Sequence, residues 1–543
     1  MNGLFPILLL QVCLAQPETK ILPYTYPALL GQSVDIEGDR LVVGAPLQWS
    51  LGGLLGAVHV YEHQGGMWTL KALLADTQGS PLGFPYFGAA VSLDGDQVAV
   101  GVRNDIITAS QSGSVFVFVK PTVNWVQEAK ITAGEESLAL GFAVDIEGDL
   151  LLIGSANPSG GGAASALGKA FIFQRMPGGW VKRAVFKPTF GPAEDRFGYA
   201  VALHGDLAFV GSPGNPITPW LSAGYVAVYR RVGKIWSLQQ KLTPNDGQNG
   251  NFFGCSIDVH QDTLVVGSRT LFDPVSYVSG GAYVFNRSGD TWTQTAKLVP
   301  QGRTHSCNSG WSVAIDGATI ALGAPSPFNT DGGALFLYRL IGKEWRESVK
   351  LAPYTGNSDG FGTSLALDGT GLAVGAPEDQ TFFVGGAAYV YRISSSQPPP
   401  MFYCQGKKVA ECSPRIFAVG QPSVGGAAAG DKHDVWAMEV RPQVKGMLVY
   451  STSGSAQSPF AGGTLCVKAP IVRTALQTST NYSTPTECHG YFKFDFSAWL
   501  ASGADPALQA GRQVWLQYWY REPSFPAPNN VGLTGAMTAL ICQ

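Results

Sequence analysis

The sequence predicts an all-β chain: a seven-bladed β-propeller closed by its own N-terminal strand, followed by a small β-sandwich. Three observations predict it. A stretch reading "GQSVDIEGDRLVVGAP" from Gly31 returns in phase to give seven copies, and regularity of this kind marks a repeat architecture. Each copy holds four short alternating segments, as half-buried strands do. Charged residues make up only 14 percent while Gly numbers 68 in 543 residues, a balance suited to short strands and tight turns.

The chain opens with "MNGLFPILLLQVCLA", residues 1–15, a short apolar run ending in a small residue. It reads as a secretory signal peptide and is too short for a membrane anchor. No later segment is apolar enough to span a membrane, so a secreted or extracellular protein is expected, free or associated with a cell surface. A net charge of −3 and no run of Lys and Arg argue against a nucleic-acid partner.

The propeller is expected over residues 16–393. The closing glycines of the copies are Gly44, Gly101, Gly154, Gly211, Gly267, Gly323 and Gly375, spaced 57, 53, 57, 56, 56 and 52 apart. A second signature, such as "GAVHVYE", follows at Gly56, Gly113, Gly168, Gly224, Gly281, Gly333 and Gly386. Tryptophans at Trp68, Trp125, Trp180, Trp236, Trp292 and Trp345 each open a fourth strand, and are expected to wedge the outer blade cores. The seventh copy lacks such a strand. "ETKILPY" at the N-terminus matches "TAKLVP" and "SVKLAP", so this segment should complete blade seven and leave no bare edge.

"FG" followed about 20 residues later by "GAP" resembles the FG-GAP repeat family, which builds the integrin α-subunit head. The resemblance covers roughly residues 19 to 395. It implies the propeller and, loosely, adhesion or ligand binding, with no catalytic site. Calcium-binding members resemble D-x-D-x-D-G-x-x-D, whereas the turns here read Glu37-Gly38, Asp94-Gly95, Glu147-Gly148, His204-Gly205, His260-Gln261, Asp316-Gly317 and Asp368-Gly369. A connection this short is expected to be a type I′ hairpin turn, with too few oxygens for a metal. No metal and no cofactor are expected.

Ligand binding is expected on the variable connections after "GAP" and before "FG", which the integrin resemblance places on one face. Candidates there are Trp49, Asp105, Trp220, Arg269, Phe272, Asp273, Asp331, Glu378, Asp379 and Phe382, because aromatics among polar groups suit an extracellular protein or glycan. The expected function is non-enzymatic recognition or adhesion. A propeller enzyme acting on extracellular polysaccharide is the alternative, with no recognisable catalytic motif to support it; a structural surface-layer component is another.

Residues 394–400, "SSSQPPP", read as a linker, and 401–543 as a disulfide-containing β-sandwich. Five of the seven cysteines after Cys13 fall beyond residue 400. Cys466 with Cys488 is the preferred bridge there, and Cys255 with Cys307 a candidate staple between blades. Asn286 and Asn481 head glycosylation triplets, relevant if the source is eukaryotic. "MLVYSTSG", "PFAGGTLCV", "QYWYREP" and "PAPNN" resemble, in order, a C-terminal module of large secreted planctomycete-type proteins. That resemblance implies no function.

Overall fold

In the computed structural model of the protein, the described residues are 19–22, 29–50, 53–54, 56–76, 86–105, 113–133, 139–156, 168–188, 196–214, 224–247, 251–270, 280–300, 308–325, 333–351, 360–378, 385–393, 402–403, 415–419, 434–441, 443–460, 463–480, 490–510, 512–521 and 531–541. The expected signal peptide and linker lie outside them. Two compact units are present, one spanning Glu18–Arg346 with Ala352–Tyr391 and the other containing Arg392–Gln543.

The first unit is a ring of seven four-stranded antiparallel blades. Blade one orders Ser33–Glu37, Arg40–Ala45, Ala57–Gln64 and Met67–Leu74 from inside to outside. Blades two to six repeat that order from Ala90, Ala143, Val201, Phe253 and Ser312. Blade seven takes three strands from Ser364–Asp368, Gly371–Ala376 and Ala387–Arg392, and its fourth is Thr19–Ile21. Thr19, Lys20 and Ile21 pair with Val390, Tyr389 and Ala388, which is the closure expected from "ETKILPY".

Blade cores alternate as the strands do. The second strands are nearly continuous apolar runs, such as "LLLIGS" of Leu150–Ser155 with every residue buried, because both faces pack on neighbouring blades. Trp292 is buried, and Trp68, Trp125, Trp180, Trp236 and Trp345 pack partly buried on the clusters between blades. Each wedges the outer strand as expected.

The glycines of the repeat are explained by the approach of one blade to the next. A Cβ on the closing glycine would sit 2.1 to 2.2 Å from the carbonyl oxygen of the following blade's "FG" glycine at Gly44, Gly154 and Gly211. At Gly375 the same clash falls on Gly31, joining blade seven to blade one. One position shifts from expectation: in blade five it is Gly280, not Gly281, that bridges the next blade at Ser309. Gly281 already belongs to the strand.

The tight turns also differ from expectation. Glu37 pairs with Arg40 and Asp94 with Gln97, so the two free residues are Gly38-Asp39 and Gly95-Asp96. Only the first of each carries a positive φ, whereas a type I′ turn needs both. The acid therefore ends a strand rather than sitting in the loop.

The second unit is a sandwich. One sheet orders Phe402–Tyr403, Val531–Leu540, Gln513–Arg521, Lys445–Ser451 and Val472–Arg473, and the other Arg415–Val419, Asp434–Val440 and Gly490–Asp495. Their facing residues form one core that includes Val435, Phe492, Leu448, Tyr518 and Tyr520. Along "QVWLQYWYR" the alternation buries Val514, Leu516, Tyr518 and Tyr520 while Trp515 and Trp519 stay half-buried. Gln517 is buried as well. Its Nε2 donates to the Thr464 and Thr534 carbonyls and its Oε1 accepts from Cys466 N, which fixes Gly463–Val467 against the sheet. A single turn of helix, Phe496–Ala501, starts at Asp495, whose side chain accepts from Ala498 N at 2.8 Å.

Candidate recognition face

Inner-strand polar residues tie neighbouring blades together at three levels. Nearest the variable connections, Ser33, Ser256, Ser312 and Ser364 donate to the carbonyls of Gly88, Gly310, Gly362 and Gly31. Halfway along, Asp35 accepts from Leu93 N, Asp145 from Leu203 N and Asp258 from Ile315 N, at 2.6 to 2.7 Å, and Ser92 accepts from Ile146 N. At the turns, Glu37, Asp94, Glu147, Asp316 and Asp368 accept from the N–H of Gly95, Gly148, Gly205, Gly369 and Gly38. Blade seven reaches blade one through the last of these.

The acids that look like calcium ligands are thus engaged with backbone amides. Asp39 lies 3.3 Å from His63 Nδ1, Asp206 pairs with Arg230 Nε and Asp262 with Arg287 Nε. Asp35 feels the charge of Asp258 and Glu37, Asp145 that of Asp35 and Asp258, and Asp258 that of Asp316. Burial first, and these like charges less strongly, raise Asp35, Asp145 and Asp258 to about 7, about 8 and about 7.

At the opposite end, where the variable connections start, the chain repeats a left-handed turn. Leu29, Tyr86, Ala139, Arg196, Phe252, Asn308 and Gly360 all have φ between 49° and 65°. The carbonyl of each accepts from the amide three residues on, which throws the flanking side chains onto the end of the ring. Over blades two to six at least one of these at each turn is aromatic or basic. The Arg103 guanidinium lies 4.9 Å from the Tyr86 ring centroid and 5.8 Å from that of Phe142 in the next blade. The Arg269 guanidinium is held in the same way, 4.5 Å from Phe252 and 4.8 Å from Trp311. Tyr199 leans on Phe142 at 4.9 Å, and Arg196 is near enough to Arg269 for burial and that like charge to lower its pKa. All eight side chains are half-buried.

Of the residues expected to bind, Arg269 is part of this arc. Asp105 is not: it is buried, its carboxylate accepts from Ser114 Oγ at 2.7 Å and pairs with Lys130 Nζ at 2.8 Å, so it braces the loop base. Glu378 is exposed at the end of blade seven. Trp49 lies in a two-residue ribbon strand paired with Gly53–Leu54. Trp220, Phe272, Asp273, Asp331, Asp379 and Phe382 lie outside the described residues. The arc residues missed from sequence occupy the places just before and after "FG" and just after the closing glycine, as in "RFGYA", "SGWSV" and "GVR".

The expected staple from Cys255 to Cys307 is not formed. Cys255 is a free, buried thiol, its Sγ 3.3 Å from the Gly310 carbonyl of the next blade, and burial pushes its pKa up. Cys466 is disulfide-bonded, while Cys488 lies outside the described residues. The Asn286 amide donates to Thr263 Oγ1 and its oxygen accepts from Thr295 Oγ1, so both ends of this acceptor side chain are engaged on the strand surface. Asn481 lies outside the described residues.

Comparison with protein families finds the FG-GAP repeat at residues 82–118, 236–285, 292–338 and 345–391. The chain carries FG-GAP repeats at these four places, and the last three matches each run from the fourth strand of one blade into the third strand of the next. Such repeats point to an integrin-like propeller, a fold often used for recognition or adhesion. The comparison with curated proteins finds no match. Among the described residues, no helix is long and apolar enough to cross a membrane.

Proposed function

From a chain built on FG-GAP repeats, we propose a secreted, non-enzymatic recognition or adhesion protein that binds an extracellular protein or glycan on one propeller face. The supporting observation is the contrast between the two ends of the ring. At the turn end the acids are consumed by blade-to-blade and within-blade ties. At the other end the left-handed turns of blades two to six hold half-buried aromatic and basic side chains among connections that differ from blade to blade. Half-buried aromatics beside charged groups are what binding surfaces use. The sandwich unit then serves as an accessory or attachment module.

The test is capture by the full chain on a glycan array and on extracted envelope proteins, with product analysis of every bound polysaccharide. Saturable binding without turnover is expected. Release of new chain ends from a bound glycan would make the protein an enzyme.

A further inference from the structure

The arc over blades two to six carries a more specific reading, which rests on the recognition proposed above. We propose that Arg103 and Arg269 are a pair of pre-set clamps for the carboxylates of an acidic polysaccharide lying across the loop end of the ring.

Three observations support it. First, each guanidinium is held between two rings from adjacent blades, Tyr86 with Phe142 and Phe252 with Trp311. A guanidinium fixed in this way has already lost its rotamer freedom, and its N–H edge matches a planar carboxylate in a two-pronged bond. Second, among the described residues neither guanidinium has a carboxylate partner, although Asp105 stands two residues from Arg103. That aspartate is bound to Lys130 instead. A third guanidinium, Arg196, adds like charge near Arg269. Arg103 and Arg269, half-buried and without a carboxylate partner among the described residues, are poised for an anion.

Third, the arrangement is extended. One clamp joins blades two and three, the other joins blades five and six, and Phe142 with Tyr199 lies in the interval. A small anion would fill a single clamp. A chain of uronic acids presents repeated carboxylates, and the apolar faces of its pyranose rings suit the exposed parts of Phe142, Tyr199 and Trp311. A flexible acidic peptide would supply the charge without those flat faces.

The experiment measures binding of the full chain to polygalacturonate, to the same polymer methyl-esterified, to a neutral galactan and to poly-glutamate, at low and high salt. Polygalacturonate should bind best, weaken as salt rises, and lose about tenfold on esterification, the order expected for a lost charge-assisted bond. Arg103→Lys and Arg269→Lys keep the charge and should each weaken polygalacturonate by a similar factor with melting temperature unchanged.

Equal binding of the esterified polymer, or of either Lys variant, would overturn the clamps while leaving recognition standing. Binding of poly-glutamate as strong as that of polygalacturonate would overturn the saccharide. Capture of neutral galactan or an envelope protein alone would also overturn the acidic ligand and leave recognition standing. Binding of nothing, here or on the array, would overturn both readings.

Discussion

Single residues in this ring are chosen for what they do to the neighbouring blade. Asp35, Asp145 and Asp258 illustrate the tension: their oxygens accept backbone amides, which favours ionisation, yet enclosure and neighbouring carboxylates raise their pKa above the ordinary value near 4. Folding therefore favours the protonated form. The stability this contributes is whole below about pH 4 and is lost as pH rises through about 7 to 8. Melting temperature should accordingly fall between about pH 5 and pH 9. Asp145→Asn should flatten that fall, since its Oδ1 can still accept from Leu203 N and its amide can donate to Ser92 Oγ. A wild-type profile that rises over this interval, or an Asn variant with an undiminished fall, would show that these carboxyls are ionised throughout.

Among the elements, the N-terminal strand has the largest leverage for its length. Three residues pair with blade seven, Ile21 enters the cluster shared with Val34, Ala388 and Val390, and Lys20 Nζ stands 5.2 Å from the Tyr389 ring. Without it, Ala387–Arg392 becomes an open edge ready to pair with another chain. A chain beginning at Leu22 should melt several degrees lower and associate on size-exclusion chromatography. Unchanged melting and a monomeric profile would mean that blade-to-blade contacts close the ring without the strand. This closure was legible because "TKI" repeats the pattern of "AKL" and "VKL". The register of the turns was not, since an acid followed by glycine reads the same whether it sits in the loop or ends the strand. Likewise Asp105 and Arg269 look alike as loop charges, and only their neighbours separate a brace under the loop from a side chain at the binding face.

On the scale of the whole ring, seven copies made the fold readable, whereas the candidate site depends on departures from the repeat. Arg103 and Arg269 stand where the other copies have the proline or alanine that ends the closing triplet, and one aromatic partner of each comes from the next blade, a relation no single repeat contains. The same circular logic bears on calcium. A bound calcium ion takes six to eight oxygens, but the turn carboxylates already accept from Gly38, Gly95, Gly148, Gly205 and Gly369. Their neighbours Asp39, Asp206 and Asp262 face His63, Arg230 and Arg287. Recruiting them to an ion would break a tie around the ring at every blade that contributed. Chelation with EGTA should therefore leave the melting temperature of the full chain unchanged, and adding calcium should not raise it. A shift of several degrees in either experiment would mean that the turn acids exchange their amide partners for a metal, and that the ring is held by ions rather than by hydrogen bonds from blade to blade.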